Sequence, residues 1–243
     1  MVHITRRATA VPGGSTAVSI SRESAGAGEL IKARGLVALG NLRIATEVTA
    51  FVIALIWLVQ GINALDGYGL DFSFGVRSRN LGTLPYVILE PLLHFGLAHI
   101  ESNTPPLALL TFLTVLGGLK RYLYTTAIVV LFGGLGAWLI SPGGTVSVGA
   151  SGLIFGYLGY LVARGLFARS LRQALWQIPL GVALFAYYRW TVVLLYPSAT
   201  VSATHISWQA HLCGLLAGIA VAALVRRRGG SLDDPGPVPR PGG

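Results

Sequence analysis

Ser147-Val148-Gly149-Ala150-Ser151-Gly152-Leu153-Ile154-Phe155-Gly156-Tyr157-Leu158-Gly159-Tyr160 contains no charged residue and sets a serine among glycines at the mouth of a long apolar run. A serine in that setting is either a small packing residue or a nucleophile. The rest of the chain first settles what the run is. Only 11% of the 243 residues are charged and 53% are hydrophobic, and mean hydropathy is +0.67. A soluble domain carries about 25% charged residues. Apolar runs of about 20 residues recur, long enough to cross a hydrocarbon core of about 30 Å at about 1.5 Å per residue. The chain reads as an all-α, multi-pass integral membrane protein.

Six spans are expected, over residues 48–65, 92–119, 122–140, 148–166, 175–196 and 207–225. Residues 1–45 read as a cytoplasmic, partly disordered segment, with 12–28 rich in Gly, Ser and Ala and no signal-peptide pattern. Residues 46–227 read as the membrane domain, and 228–243 as a disordered Pro/Gly-rich tail. The connection 66–90 is long and polar enough for interfacial structure of its own; the others are short.

The charge of +9 follows from topology rather than from an anionic partner. Of the 18 Lys and Arg, fifteen lie on one side of the expected spans: before residue 44, at Lys120 and Arg121, at Arg164, Arg169 and Arg172, and after residue 225. Only Arg77 and Arg79 lie on the other side. Basic residues mark cytoplasmic connections, so both termini are expected in the cytoplasm. A nucleic-acid partner is not called for; the lipid bilayer is. Cys213, the single cysteine, reads as a buried filler in the last span.

With that orientation, spans two, four and six enter from the outer face, and each carries its polar residues early. Ser151 and His211 fall roughly 5–6 Å deep, His99 and Asn103 roughly 10–17 Å. Taken singly, such residues most simply join helices by hydrogen bonds worth about 0.6 kcal/mol each. Together they allow chemistry. Gly152 and Gly156 have small-xxx-small spacing, as do Gly214 and Gly218. If those faces meet, His211 comes within reach of Ser151, as a general base must for a serine nucleophile. His99 and Asn103, at i and i+4, share a face that can stabilise an oxyanion. The Ser151 amide, near a helix start, would add a donor. Gly149 is expected to allow a tight turn and leave its own amide exposed. Of the carboxylates only Glu101 is expected near this cluster, off the His99 face, so a Ser-His dyad is simpler than a triad. His94, His99 and His211 are poorly spaced for a metal, and no cofactor is implied.

His94-Phe-Gly-Leu-Ala-His99-Ile-Glu-Ser-Asn103 resembles the HxxxxHxxxN pattern of the rhomboid intramembrane serine proteases, and Gly149-Ala-Ser151-Gly152 is similar to their GxSG. His211 followed by Gly214 and Gly218 also fits. The resemblance covers residues 50–225. It implies a rhomboid-like six-helix bundle in the cell membrane that cleaves membrane-spanning protein substrates near the outer face. It implies Ser151 as nucleophile, His211 as base, and His99, Asn103 and the Ser151 amide as oxyanion hole. His94 would be structural, and span five with 197–206 the gate and cap. The sequence departs in carrying Phe155 where many members stack a Tyr on the histidine, in lacking a first-loop Trp-Arg pair, and in Pro105 and Pro106, which are expected to disturb the second span. A catalytically silent binder of membrane helices is the alternative. A transporter is disfavoured, because the chain shows no paired repeat.

Overall fold

The computed structural model describes residues 15–168, 170–189, 194–195 and 207–227, with side chains from residue 35 to residue 225. The chain divides into two units, up to Leu42 and from Arg43 onward. The expected disordered tail, 228–243, and the expected cap, 197–206, lie outside the described residues.

Every expected span contains a helix. These are α1 (Ser15–Leu65), then a short α2 (Gly69–Phe74), α3 (Leu97–Leu116), α4 (Leu119–Ile128), α5 (Gly134–Ile140), α6 (Ser151–Ala163), α7 (Leu171–Tyr188) and α8 (Trp208–Arg227). A π-helical turn over Val129–Gly133 joins α4 to α5, so the two form one apolar rod. Among the described residues, three helical segments are long and apolar enough to cross a membrane: Gly35–Leu65, Leu119–Ile140 and Trp208–Val225. α3 and α7 have 20 and 18 residues, but His99, Glu101 and Asn103 in one, and Arg172, Gln173 and Gln177 in the other, dilute their apolar character.

The helix in the fourth stretch is shorter than the 148–166 expected. α6 has 13 residues, about 20 Å of helix. Gly149, at φ 120°, breaks the chain before it, and the turn at residues 164–167 ends it. Its residues 154–161 are all buried, as expected of a helix apolar all round. Its neighbours stand between it and lipid, so its length need not match the bilayer.

Close packing around α6 follows from glycine. A Cβ on Gly214 would overlap the carbonyl oxygen of Gly152, and one on Gly218 that of Gly156. α8 therefore lies backbone to backbone on α6, and against α7 the same device uses Gly181, whose Cβ would lie 2.9 Å from the Val162 carbonyl oxygen. Polar links also join the helices. Tyr157 Oη and Thr126 Oγ1 are 2.7 Å apart between α6 and α4, and Trp57 Nε1–H donates to Thr104 Oγ1 at 3.1 Å between α1 and α3.

The connection 66–90 is ordered. It contains α2, the strand β1 (Val76–Arg77) and 3-10 turns over Leu81–Ile88 and Glu90–Leu92. β1 pairs antiparallel with β2 (Val146–Ser147), with Val76 opposite Ser147. Arg79 adds a bond from its guanidinium to the Ser141 carbonyl, 2.9 Å. This connection is thus fastened to the chain just before Ser151.

α1 runs back to Ser15; alanines at 17, 25 and 27 favour helix against the glycines at 26 and 28. One further expectation is corrected. Pro105 and Pro106 sit inside α3 without ending it. The carbonyls that lose their amide partners belong to Glu101 and Ser102, which are exposed, so the loss leaves no orphaned group in the core.

Candidate active site

Ser151 is the first residue of α6, so its amide is among those a helix leaves without an internal acceptor. His211 comes from the first turn of α8, where Ser207 Oγ accepts the Ala210 N–H at 3.2 Å and caps the helix. Across the glycine-mediated contact of the two helices, His211 Nε2 and Ser151 Oγ are 2.8 Å apart. His211 Nδ1 lies 3.0 Å from the Leu194 carbonyl oxygen. A carbonyl can only accept, so Nδ1 carries the proton and Nε2 of the neutral ring offers its lone pair to the serine hydroxyl. The ring stacks on Phe155, with centroids 4.5 Å apart and planes at 22°, and is 3% exposed.

The turn before Ser151 is built around Gly149. A Cβ there would lie 2.7 Å from Cε1 and 2.8 Å from Nε2 of His99, and 3.8 Å from Asn103 Nδ2. His99 and Asn103, one turn apart on α3, therefore converge two residues upstream of the serine. Asn103 is buried, and its Nδ2 has no hydrogen-bond partner. A buried amide donor left open beside the turn that carries the serine can stabilise a developing negative charge.

His94 lies outside α3, in the bend before it. It is fully buried, its ring meets the His99 ring edge-on at 5.0 Å, and its Nε2 accepts the Ala150 N–H at 3.4 Å. That is a supporting position at the junction of connection and helix. Gly152, Gly156, Gly214 and Gly218 form the contact that brings α6 and α8 together.

The expectation of an exposed Gly149 amide is corrected. Gly149 N–H donates to the Glu90 carbonyl at 2.9 Å, because the ordered connection reaches back to this turn. The expectation that Glu101 alone lies near the cluster is also corrected. The Glu90 carboxyl, 7% exposed, accepts a hydrogen bond from Ser147 Oγ–H. Burial pushes its pKa up to about 7, against the lowering effect of the Ser147 hydroxyl. Sequence reasoning passed over Glu90 because it falls outside the expected second span; a carboxylate four residues before a buried histidine was the available signal. The Leu194 carbonyl has no side-chain signature at all. Cys213 Sγ would lie 2.8 Å from a Cβ on Gly136, which makes it a packing group.

Among known proteins, the Rhomboid domain matches residues 82–228 of this chain. Uncharacterized proteins of Mycobacterium bovis and Mycobacterium tuberculosis are each 40% identical over 185 residues, covering 74% of this chain and 74% of the relative. One of Mycobacterium leprae is 39% identical over 177 residues, covering 71% of this chain and 68% of the relative. The match spans most of the described bundle and the whole histidine, asparagine and serine constellation, and the chain belongs to the rhomboid family of integral membrane proteins.

Proposed function

We propose that this protein is an intramembrane serine endopeptidase that cleaves membrane-spanning protein segments near the outer face of the cell membrane. The observation that carries this is the 2.8 Å approach of His211 Nε2 to Ser151 Oγ, with Nδ1 tied to a carbonyl oxygen at 3.0 Å. In this reading His211 takes the hydroxyl proton as Oγ attacks the scissile carbonyl. The oxyanion is met by Asn103, His99 and the Ser151 N–H. Collapse breaks the C–N bond, and His211 returns its proton to the leaving amine. Water then hydrolyses the acyl-enzyme, with His211 again as base. The Leu194 carbonyl takes the orienting role that a carboxylate has in a triad.

The reading includes six membrane crossings with both termini in the cytoplasm, supported by the distribution of Lys and Arg. It also includes the division into a cytoplasmic segment 1–45, a membrane domain 46–227 and a tail 228–243. Water must reach Ser151 from outside, and a substrate helix must unwind locally to present its carbonyl. The test is cleavage of a single-span substrate by wild type, Ser151→Ala and His211→Ala in proteoliposomes. Both variants should fold and lose cleavage; retained cleavage in either contradicts the proposal. A folded wild type that binds substrate helices without cleaving them would be a catalytically silent binder instead.

A further inference from the structure

Three of the four residues before Ser151 are tied to one five-residue segment. Ser147 Oγ–H donates to the Glu90 carboxyl. Gly149 N–H donates to the Glu90 main-chain carbonyl at 2.9 Å. Ala150 N–H donates to His94 Nε2 at 3.4 Å. The fourth, Val148, is 8% exposed and packs as an apolar residue. Room for the carboxyl comes from Gly134, where a Cβ would lie 3.3 Å from Glu90 Oε2. A buried carboxyl is costly, and an apolar side chain would fill this space at lower cost. The residues lining the adjoining cavity, among them Val87, Val129, Leu153 and Ala210, include no titratable group besides Glu90. Among the described residues no basic group pairs with the carboxyl. What the carboxyl does have is a specific partner on the turn that sets the height and direction of Ser151.

We infer that Glu90 is a positioning residue, whose carboxyl and carbonyl together hold residues 147–149 so that Ser151 Oγ faces His211. This rests on the reading of Ser151 as nucleophile. A hydroxyl displaced by about 1 Å reacts on the order of a hundredfold more slowly. Either protonation state of the carboxyl can accept from Ser147, so an amide at position 90 should serve nearly as well.

The experiment measures kcat and KM on a single-span substrate in proteoliposomes, together with amide hydrogen exchange across residues 146–150. It compares wild type, Glu90→Ala, Glu90→Gln, Ser147→Ala and the Glu90→Ala/Ser147→Ala double variant. Glu90→Ala should lower kcat about 10–100-fold at unchanged KM and speed exchange in the turn. Glu90→Gln should stay within about threefold of wild type. Ser147→Ala should lower kcat, and the double variant should be no slower than Glu90→Ala alone, because the two share one bond. Wild-type kcat and exchange in Glu90→Ala would overturn the inference. So would losses that multiply in the double variant, or Glu90→Gln as slow as Glu90→Ala. If Glu90→Ala does not fold, Ser147→Ala decides: wild-type kcat and exchange there overturn it. Should wild type itself prove inert to substrate while Glu90→Ala still speeds exchange, the protease reading fails and the anchor stands.

Discussion

Gly214 on α8 lies against the main-chain carbonyl of Gly152 on α6, with no room between them for a methyl group. One residue before Gly152 is Ser151, and three before Gly214 is His211. The distance between hydroxyl and imidazole is therefore set by a contact between two backbones. Gly214→Ala should force the helices apart, cost about 1–3 kcal/mol of stability and slow reaction at Ser151. Thermal unfolding in detergent and the rate of fluorophosphonate labelling check both effects. A variant with wild-type values in both would show that the contact does not set the geometry.

Gly149 combines a φ of 120° with the His99 ring pressed where a side chain would go. Gly149→Ala meets both obstacles at once, backbone strain and steric overlap. It should abolish substrate cleavage, whereas Gly143→Ala, where a Cβ meets open space, should leave cleavage unchanged. Turnover of a single-span substrate by the two variants separates the outcomes.

Asn103 offers an unpaired Nδ2 beside the serine turn. Asn103→Ala should lower kcat about 10²–10³-fold at nearly constant KM, the usual loss for one oxyanion donor. Initial-rate kinetics check this. A rise in KM with kcat preserved would place Asn103 in substrate binding instead.

Phe155 stacks on His211 at 4.5 Å. Phe155→Tyr keeps the ring and should keep activity, while Phe155→Leu should lower kcat about 3–10-fold through loss of an aromatic contact worth about 0.5–1.5 kcal/mol. Equal activity in the two variants would show that stacking on His211 does not support turnover.

Glu90 provides the pH test. Its pKa is raised to about 7 from an ordinary 4.5 by burial, so the folded protein holds this proton more tightly than the unfolded chain. The stabilisation is complete below about pH 4.5 and is lost as pH rises through about 7. Relative to Glu90→Gln, wild type should lose about 3 kcal/mol of stability between those limits. Denaturant midpoints of both proteins at pH 5 and pH 8 measure it. A difference that does not change with pH would contradict the assignment.

The sequence made the helices and the polar constellation legible for one reason: membrane interiors tolerate few polar groups. Ser151, His211, His99 and Asn103 stood out against apolar surroundings, and the glycine spacing at 152/156 and 214/218 foretold which helices touch. The connection 66–90 was not legible in detail. Its polar residues are ordinary for a loop, and much of its fastening runs through backbone, which sequence does not display: the β1–β2 pairing, and the Glu90 carbonyl on Gly149. The Leu194 carbonyl was invisible for the same reason. Hydropathy also overstated the length of α6, which has 13 residues, because apolar turns flank the helix at both ends.

In the proposed mechanism Ser151 is a nucleophile activated by His211. The most direct measurement of that activation is covalent labelling by a fluorophosphonate in detergent, with the modified residue located by mass spectrometry. Wild type should label at Ser151, Ser151→Ala should not label at all, and His211→Ala should label at least a hundredfold more slowly. A folded wild type that stays unlabelled, or a His211→Ala variant that labels at the wild-type rate, would contradict it.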